Sequence, residues 1–442
     1  MSRKRSTGAL TLWMNGLRVG TLKRLGGGVL ELAYDASWLA DEHAHPVSLS
    51  LPLSRTPHRG PEVANYFDNL LPDNDDTRTR LRRALGAESN QPFDLLAELG
   101  RDCVGALQLL RTEKAPNVRF VDSTPVDEAW IAERLRSSET TPMGISVDED
   151  FRISIGGAQG KTALLRLGEQ WHQPHGATPT SHMLKLPIGL VNESIDLSTS
   201  VENEWLCMRI ATHLGLPTAN VEIGDFDGYR ALVVERFDRR WSESGTWLMR
   251  LPQEDCCQAF GIPPSKKYEN EGGPSIERIA QLLHRSAHPV RDRRHFFSAQ
   301  ILYWLLAAID GHGKNFSLFL YESGRFEMTP LYDIVSAHPV LARKRLHPSK
   351  IRMAMAVAGR SRHYQWSSIR RDHWVSTARQ AGFSEAQANE IVEETLSKVP
   401  AALEAAANEL PENFPIEISD SILLGIKKTL SRASIQDEPE PE

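Results

Sequence analysis

Apolar and polar positions alternate through Leu10-Thr-Leu-Trp-Met14 and again through Leu17-Arg-Val-Gly-Thr-Leu22. Asn15-Gly16 between them supplies the two positive-φ positions of a tight type I′ turn, so the chain is expected to open on a β-hairpin. Further strand-like runs fall at residues 29–34, 47–53 and 104–110. Helical periodicity falls at 63–71, 76–85 and 93–99, the last stopped by Gly100. After a polar stretch with one expected helix at 126–136, strand-like runs return at 151–155, 162–167 and 182–186. An amphipathic helix is expected at 201–214, ended by Gly215, then a second hairpin at 221–223 and 229–234 around Asp225-Phe-Asp-Gly228. From about residue 275 nearly every segment reads as helix, apart from one short hairpin between Phe316 and Leu331. The pattern predicts an α+β chain: an N-terminal α+β module at 1–112, a β-rich part at 113–237, an all-helical part at 238–436 and a disordered acidic tail at 437–442.

Composition narrows the class without naming it. A chain of 442 residues is too long for one ordinary core, so two or three domains or lobes are expected. The net charge of −6 argues against a surface built throughout for nucleic acid, while leaving room for local basic patches. No apolar run approaches the roughly 20 residues that cross a bilayer, so no membrane association is expected. Asn15-Gly16 interrupts the apolar stretch behind the basic N-terminus too early for a signal peptide. Cys103, Cys207, Cys256 and Cys257 form no C-x-x-C pair with matching histidines, which sets aside zinc and a disulfide framework and points to a reducing cytoplasm.

The chemistry concentrates in Ile309-Asp310-Gly-His-Gly-Lys-Asn315-Phe-Ser-Leu-Phe-Leu320, followed by Tyr332-Asp333-Ile334. Phosphoryl transfer needs a carboxylate to accept the attacking hydroxyl's proton, and oxygen ligands for the Mg²⁺ that neutralises the phosphates. Asp310 and Asn315 have the D-x-x-x-x-N spacing that delivers these groups, and the hairpin after them would deliver Asp333 as a second metal ligand. The spacing alone recurs by chance and could be a helix cap and a turn; the hairpin and second aspartate give it weight. Upstream, Gly156-Gly-Ala-Gln-Gly160-Lys161-Thr162 lies between two strand-like runs, where glycine backbone can approach phosphate oxygens. It is not a Walker A loop: its first glycine is one position short, and a strand follows where a P-loop opens a helix. Lys185, alone in the apolar run His182–Ile188, is placed to meet α- and β-phosphates or simply to face solvent at a sheet edge. Glu202 and Glu204 on the following helix are equal candidates to pair with it. Glu235-Arg236-Phe237 ends the last strand before the helical half, where a connector would offer backbone to adenine and Phe237 to the base.

Together these segments resemble the HipA kinase family. The carrying motifs are Asn69-Leu-Leu-Pro-Asp73, Phe93-Asp-Leu-Leu, Gly100-Arg-Asp-Cys-Val-Gly105, Phe151-Arg-Ile-Ser-Ile-Gly-Gly-Ala-Gln159, Lys185-Leu-Pro, Glu235-Arg-Phe-Asp-Arg239, Leu251-Pro-Gln-Glu-Asp255, Asp310-Gly-His, Lys314-Asn-Phe-Ser317 and Tyr332-Asp-Ile334. They run in order from about residue 8 to 430.

The resemblance implies a two-lobed, protein-kinase-like α+β fold with an N-terminal module fused to the small lobe, using ATP and Mg²⁺. It implies Asp310 as catalytic base and Asn315 and Asp333 as metal ligands. Gly156, Gly157, Ala158, Gln159, Gly160 and Lys161 would form the nucleotide loop, with Lys185, Glu235, Arg236, Phe237, His312, Gly313, Lys314 and Tyr332 completing the nucleotide site. Ser154 matches the serine that the family autophosphorylates; a phosphate there adds about −1.5 to −2 charges beside a loop meant for phosphates. Gly160 and Gly313 depart from the family pattern, which has larger residues in each place. The family further implies a toxin held by a small helix-turn-helix antitoxin, HipB, that binds operator DNA, and a translation enzyme, typically glutamyl-tRNA synthetase, as target. Basic stretches at 291–295 and 343–345 could face DNA in such a complex or simply be solvated. A small-molecule kinase of the aminoglycoside phosphotransferase type shares the Asp310/Asn315/Asp333 pattern but has no use for Ser154, and a binding-only scaffold would not need all four catalytic positions.

Overall fold

The computed structural model describes residues 8–140, 159–192 and 195–435. The strand expected at 151–155, Ser154, Gly156, Gly157, Ala158 and the tail lie outside the described residues. The chain folds as two compact units: residues 1–186, 224–265 and 317–326 form the first, and 187–223, 266–316 and 327–442 the second. These units do not divide at the expected position 237/238. The helix after Lys185 belongs to the second unit, and residues 238–265, expected in the helical part, belong to the first.

The first unit opens on a four-stranded antiparallel sheet of β1 (Gly8–Met14), β2 (Leu17–Arg24), β3 (Leu30–Tyr34) and β4 (Leu107–Leu110), in the order β3-β2-β1-β4. Asn15 at φ 48° and Gly16 at φ 85° make the expected primed turn. Helices Pro61–Asn69, Asp75–Leu85 and Pro92–Leu99 follow near the predicted positions. The middle helix starts where the Asn74 side chain accepts from the Thr77 N–H (3.0 Å) and stops at left-handed Gly86 (φ 67°). Their apolar faces share one core with the sheet, including Leu10, Leu12, Leu32, Phe67, Leu81, Leu96 and Leu109.

The strand expected at 47–53 is not formed. Only an isolated bridge joins Ser48 and Leu51, because the backbone is fastened to side chains instead of a ladder. The Leu49 N–H donates to the Glu254 carboxyl (2.8 Å), and the Ser50 hydroxyl to the Gln258 carbonyl (2.8 Å).

The second sheet of this unit holds β5 (Ser123–Pro125), β6 (Lys161–Leu167), β7 (Gln170–Pro174) and β8 (His182–Lys185). The chain then leaves through the hairpin β9 (Gly189–Asn192) and β10 (Ile195–Leu197) and the helix Ser200–His213. It returns as β11 (Val221–Phe226) and β12 (Tyr229–Glu235), giving the order β11-β12-β8-β6-β7-β5. Helix Glu128–Thr140 covers this sheet over Ile131, Leu135, Leu164, Leu184 and Val233. A hairpin of β13 (Arg239–Trp241) and β14 (Leu248–Arg250) follows, then the small sheet β15-β16-β17 of Gln253–Asp255, Ser317–Leu320 and Phe326–Met328.

Beneath these strands five charged side chains are buried together. Burial opposes ionisation of Asp102, yet the guanidiniums of Arg239, Arg236 and Arg250 hold its carboxyl far below the usual carboxylate range. Arg236 bridges Asp102 (3.2 Å) and Asp238 (2.9 Å), Arg239 bridges the same two (both 3.0 Å), and Arg250 reaches Asp102 (3.0 Å). Further donors go to carbonyls of Cys103, Gly105 and Ala177 and to the Thr180 hydroxyl, while the Arg239 Nε has no partner among the described residues. The cluster welds the N-terminal module, through Asp102 to Gly105, onto the end of β12.

The second unit is built on helices Ser200–His213, Ile276–Leu283, Pro289–Leu305, Arg371–Gln380, Glu385–Asn408 and Ile416–Ile435. Phe297, Trp304, Trp374 and Phe383 meet edge-on or tilted in its core. The unit is not all helical as expected: β18 (Arg352–Ala358) pairs with β19 (Arg362–Gln365). Its Met-Ala-Met-Ala run has good helix propensity, but the Ala356 N–H donates to Glu269 and the Ala358 N–H to Thr377, both at 2.7 Å. Tertiary acceptors have replaced the helical ones. All four cysteines are free and buried. Among the described residues no helix is long and apolar enough to cross a membrane.

Two outcomes follow for the first unit. Asp102→Ala leaves three buried guanidiniums facing one carboxylate and is expected to cost about 3–5 kcal/mol, read as a lowered midpoint of the first unfolding transition in urea. Burial raises the Glu254 carboxyl from 4.5 to about 8, so the folded protein keeps a proton that the unfolded chain releases. Its contribution is whole below pH 4.5, falls as pH rises towards about 8, and is gone above it. Glu254→Gln removes this dependence, and urea unfolding should find the variant gaining on the wild type by on the order of 2 kcal/mol between pH 6 and 8.

Candidate active site

In the second unit Asp310 and Asn315 share one loop, and Asp333 follows the hairpin after it. Helix Pro289–Leu305 ends through Ala308, whose N–H donates to the Tyr303 carbonyl (2.8 Å), with Ala307 left-handed at φ 49°. That reversal releases Ile309-Asp310 from the helix. The Asp310 side chain is 60% exposed, as a base that must meet a substrate hydroxyl requires. Its backbone carbonyl accepts from the His312 N–H (2.8 Å) and from the Asn315 amide nitrogen (3.0 Å). The Asn315 side-chain oxygen is thereby left as the group's acceptor. The Gly313 N–H donates to Lys267 (3.2 Å), and the Tyr332 hydroxyl to the Lys314 carbonyl (2.7 Å), so both flanks of the short Gly313–Asn315 turn are braced.

Gly311 lies flat on the Tyr303 ring: a Cβ there would stand 2.3 Å from the ring edge. His312 is buried; burial pushes its imidazole down to about 4, against the pull of Asp310. It is neutral at physiological pH, and its Nδ1 has no partner among the described residues. Asp333 holds a left-handed conformation at φ 61°, a strain of roughly 1–3 kcal/mol for a non-glycine residue. Asn203 fixes the chain just beyond it, exchanging two hydrogen bonds of 2.8 Å with the Ser336 backbone.

Oxygen donors from Asn315 and Asp333 suit a hard divalent cation that completes its shell with water and phosphate. Among the described residues no three His, Cys, Asp or Glu side chains gather to hold a metal by themselves.

Of the expected nucleotide residues, Gln159 to Lys161, Lys185 and Glu235 to Phe237 lie in the first unit, and His312 to Lys314 and Tyr332 in the second. Lys161 on β6 stands directly opposite Lys185 on β8, and Lys185 opposite Leu232 on β12. In an antiparallel pair directly opposed side chains share a face. Both residues are buried on that face, at 7% and 6% exposed. The ladder runs on to the glycine loop: the Leu186 N–H donates to Gly160 (2.9 Å) and the Gln159 amide to Leu186.

The Arg236 guanidinium is held in the buried cluster and its N–H donates to the Ser181 carbonyl (2.9 Å), so it fixes the end of β12. Glu235 is exposed, and the half-buried Phe237 ring stands edge-on to Phe319 at 5.8 Å. Glu202 and Glu204 are both buried on their helix.

Sequence reasoning missed Tyr268. Its hydroxyl donates to Asp310 Oδ1 and its ring meets His312 edge-on at 5.1 Å. A separation of 42 residues left no local signal.

The model of the HipA-like C-terminal domain matches residues 153–403, and that of the HipA N-terminal domain residues 10–110. The protein named "Putative kinase Y4mE" of Sinorhizobium fredii is 36% identical over 84% of this chain and 86% of its own length. The serine/threonine-protein kinase toxin HipA of Shewanella oneidensis is 30% identical over 69% of each. A chain in the solved complex of Shewanella oneidensis HipA, HipB and operator DNA superposes with a TM-score of 0.80 at 25% identity, covering 98% of this chain and 100% of that one. The kinase-like fold and the ordered motifs agree with these matches, and the chain belongs to the HipA family of serine/threonine-protein kinases.

Proposed function

We infer that this kinase transfers the γ-phosphate of ATP to a protein serine, with Asp310 as the base that accepts the hydroxyl proton. The loop geometry carries this reading: an exposed carboxylate on a turn whose backbone is braced by Asn315, Lys267 and Tyr332. Asn315 and Asp333 are the oxygen ligands for Mg²⁺, which supplies charge neutralisation of the phosphates when bound. Lys161 and Lys185 hold phosphate oxygens from the face they share, and Gln159 and Gly160 carry the glycine loop up to that face. Glu235 and Phe237 are assigned to adenine, and His312, Gly313 and Lys314 to the phosphates. Ser154, Gly156, Gly157 and Ala158 keep the roles the family resemblance gives them, with Ser154 as the self-modified serine.

The toxin role is supported by likeness to the Shewanella oneidensis HipA toxin, and an antitoxin partner by likeness to its complex with HipB and operator DNA. We assign this chain a HipB-like helix-turn-helix antitoxin, operator DNA contacted mainly through it, and a translation enzyme of the glutamyl-tRNA synthetase kind as target.

Intact mass spectrometry after incubation with Mg·ATP tests the chemistry. Wild type should gain one phosphate on Ser154 and Asp310→Asn none; an equal gain in the variant would remove Asp310 from the mechanism. Gly311→Ala should displace the loop against Tyr303 and slow transfer by on the order of a hundred-fold. Its ATP affinity, by titration calorimetry, should change far less.

A further inference from the structure

Among the groups around the Asp310 loop, one has no place in the site just described: the phenol of Tyr268. We propose that Tyr268 is a positioning residue that clamps the catalytic carboxylate through its hydroxyl, a role that rests on the assignment of Asp310 as base. The hydroxyl donates to Asp310 Oδ1. A carboxylate on an exposed loop is otherwise free to turn about its last torsion, which is broad and roughly two-fold. Fastening Oδ1 leaves Oδ2 as the acceptor for a substrate hydroxyl and fixes the plane in which that hydroxyl must approach. Reaction geometry of this kind is where angstrom-scale errors become costly.

A phenol on a base could instead be a gate, sitting in the seat of the substrate hydroxyl and leaving when substrate arrives. A gate has to move, and this turn is built to stay. The Tyr268 carbonyl accepts from both Glu271 (3.0 Å) and Gly273 (2.9 Å), closing the loop tightly behind it. Gly273 sits so close that a Cβ would stand 2.6–2.7 Å from the carbonyl oxygens of Lys266, Lys267 and Tyr268. On one side of Tyr268 the Lys267 carbonyl receives the Gly313 N–H of the catalytic loop itself. On the other, Glu269 accepts from the Ala356 N–H at 2.7 Å and from Arg362, which also pairs with Glu277 at 3.2 Å. The ring rests edge-on against the buried His312. Turn, strand β18 and the Asp310 loop therefore hold the backbone that carries Tyr268 and its neighbours, while His312 and Asp310 meet the phenol itself.

Tyr268→Phe tests this by removing one oxygen while keeping the ring on His312. The rate of phosphate incorporation from Mg·ATP would be measured for wild type, Tyr268→Phe, Asp310→Asn and the double variant, with basal Mg·ATP hydrolysis as a parallel readout. ATP affinity by calorimetry and the thermal midpoint complete the set. The expected result is a kcat lowered on the order of ten- to a hundred-fold, with ATP affinity and the thermal midpoint nearly unchanged. In the Asp310→Asn background the same change should have no further effect, because the group being positioned is gone. A Tyr268→Phe rate equal to wild type beside an inactive Asp310→Asn would overturn the clamp alone. A faster variant would make Tyr268 a gate. Slower transfer with lost ATP affinity or stability, or a further loss in the double variant, would make its role structural. Full activity in Asp310→Asn would instead sink the base assignment on which the clamp rests.

Discussion

Asp102 is the constraint on which the first unit depends. Its carboxylate is the common partner of three arginines from the end of β12, from β13 and from β14, which lie 134 to 148 residues further along the chain. Three guanidiniums and two carboxylates leave a net positive charge in a dry interior, which is tolerable only because carbonyls at Cys103, Gly105 and Ala177 accept the surplus donors. Such a cluster contributes less to net stability than its attractions suggest, since desolvation offsets most of them. What it supplies is geometry: a slip of any one strand would leave a buried charge unmatched. The Asp102–Gly105 loop of the N-terminal module is thereby held to one position against the end of β12.

The consequence for chemistry is local. Arg236, locked from below, fixes the register in which Glu235 and Phe237 emerge, and β12 in turn fixes β8 and β6 through continuous pairing. Lys161 and Lys185 then stand opposite each other on adjacent strands. In the second unit, left-handed Ala307 and Asp333 lie on either side of the Asp310 loop.

The sequence by itself determined most elements and the identity of the chemical groups. Asn15-Gly16 fixed the first turn because few residue pairs accept two positive φ angles, and apolar periodicity located the helices because each must bury one face. Asp310, Asn315 and Asp333 were legible because their spacing and the hairpin between them are local. What the tertiary structure decided was everything with an acceptor or partner far along the chain. Residues 47–53 lost their strand to Glu254 and Gln258, and 352–358 became a strand because Glu269 and Thr377 took their N–H groups. Arg236 met Asp102, and Tyr268 reached Asp310, only through folding. Periodicity and spacing encode the free energy of local segments. Hydrogen bonds and ion pairs between distant segments follow from which surfaces pack together, and that is a property of the folded chain.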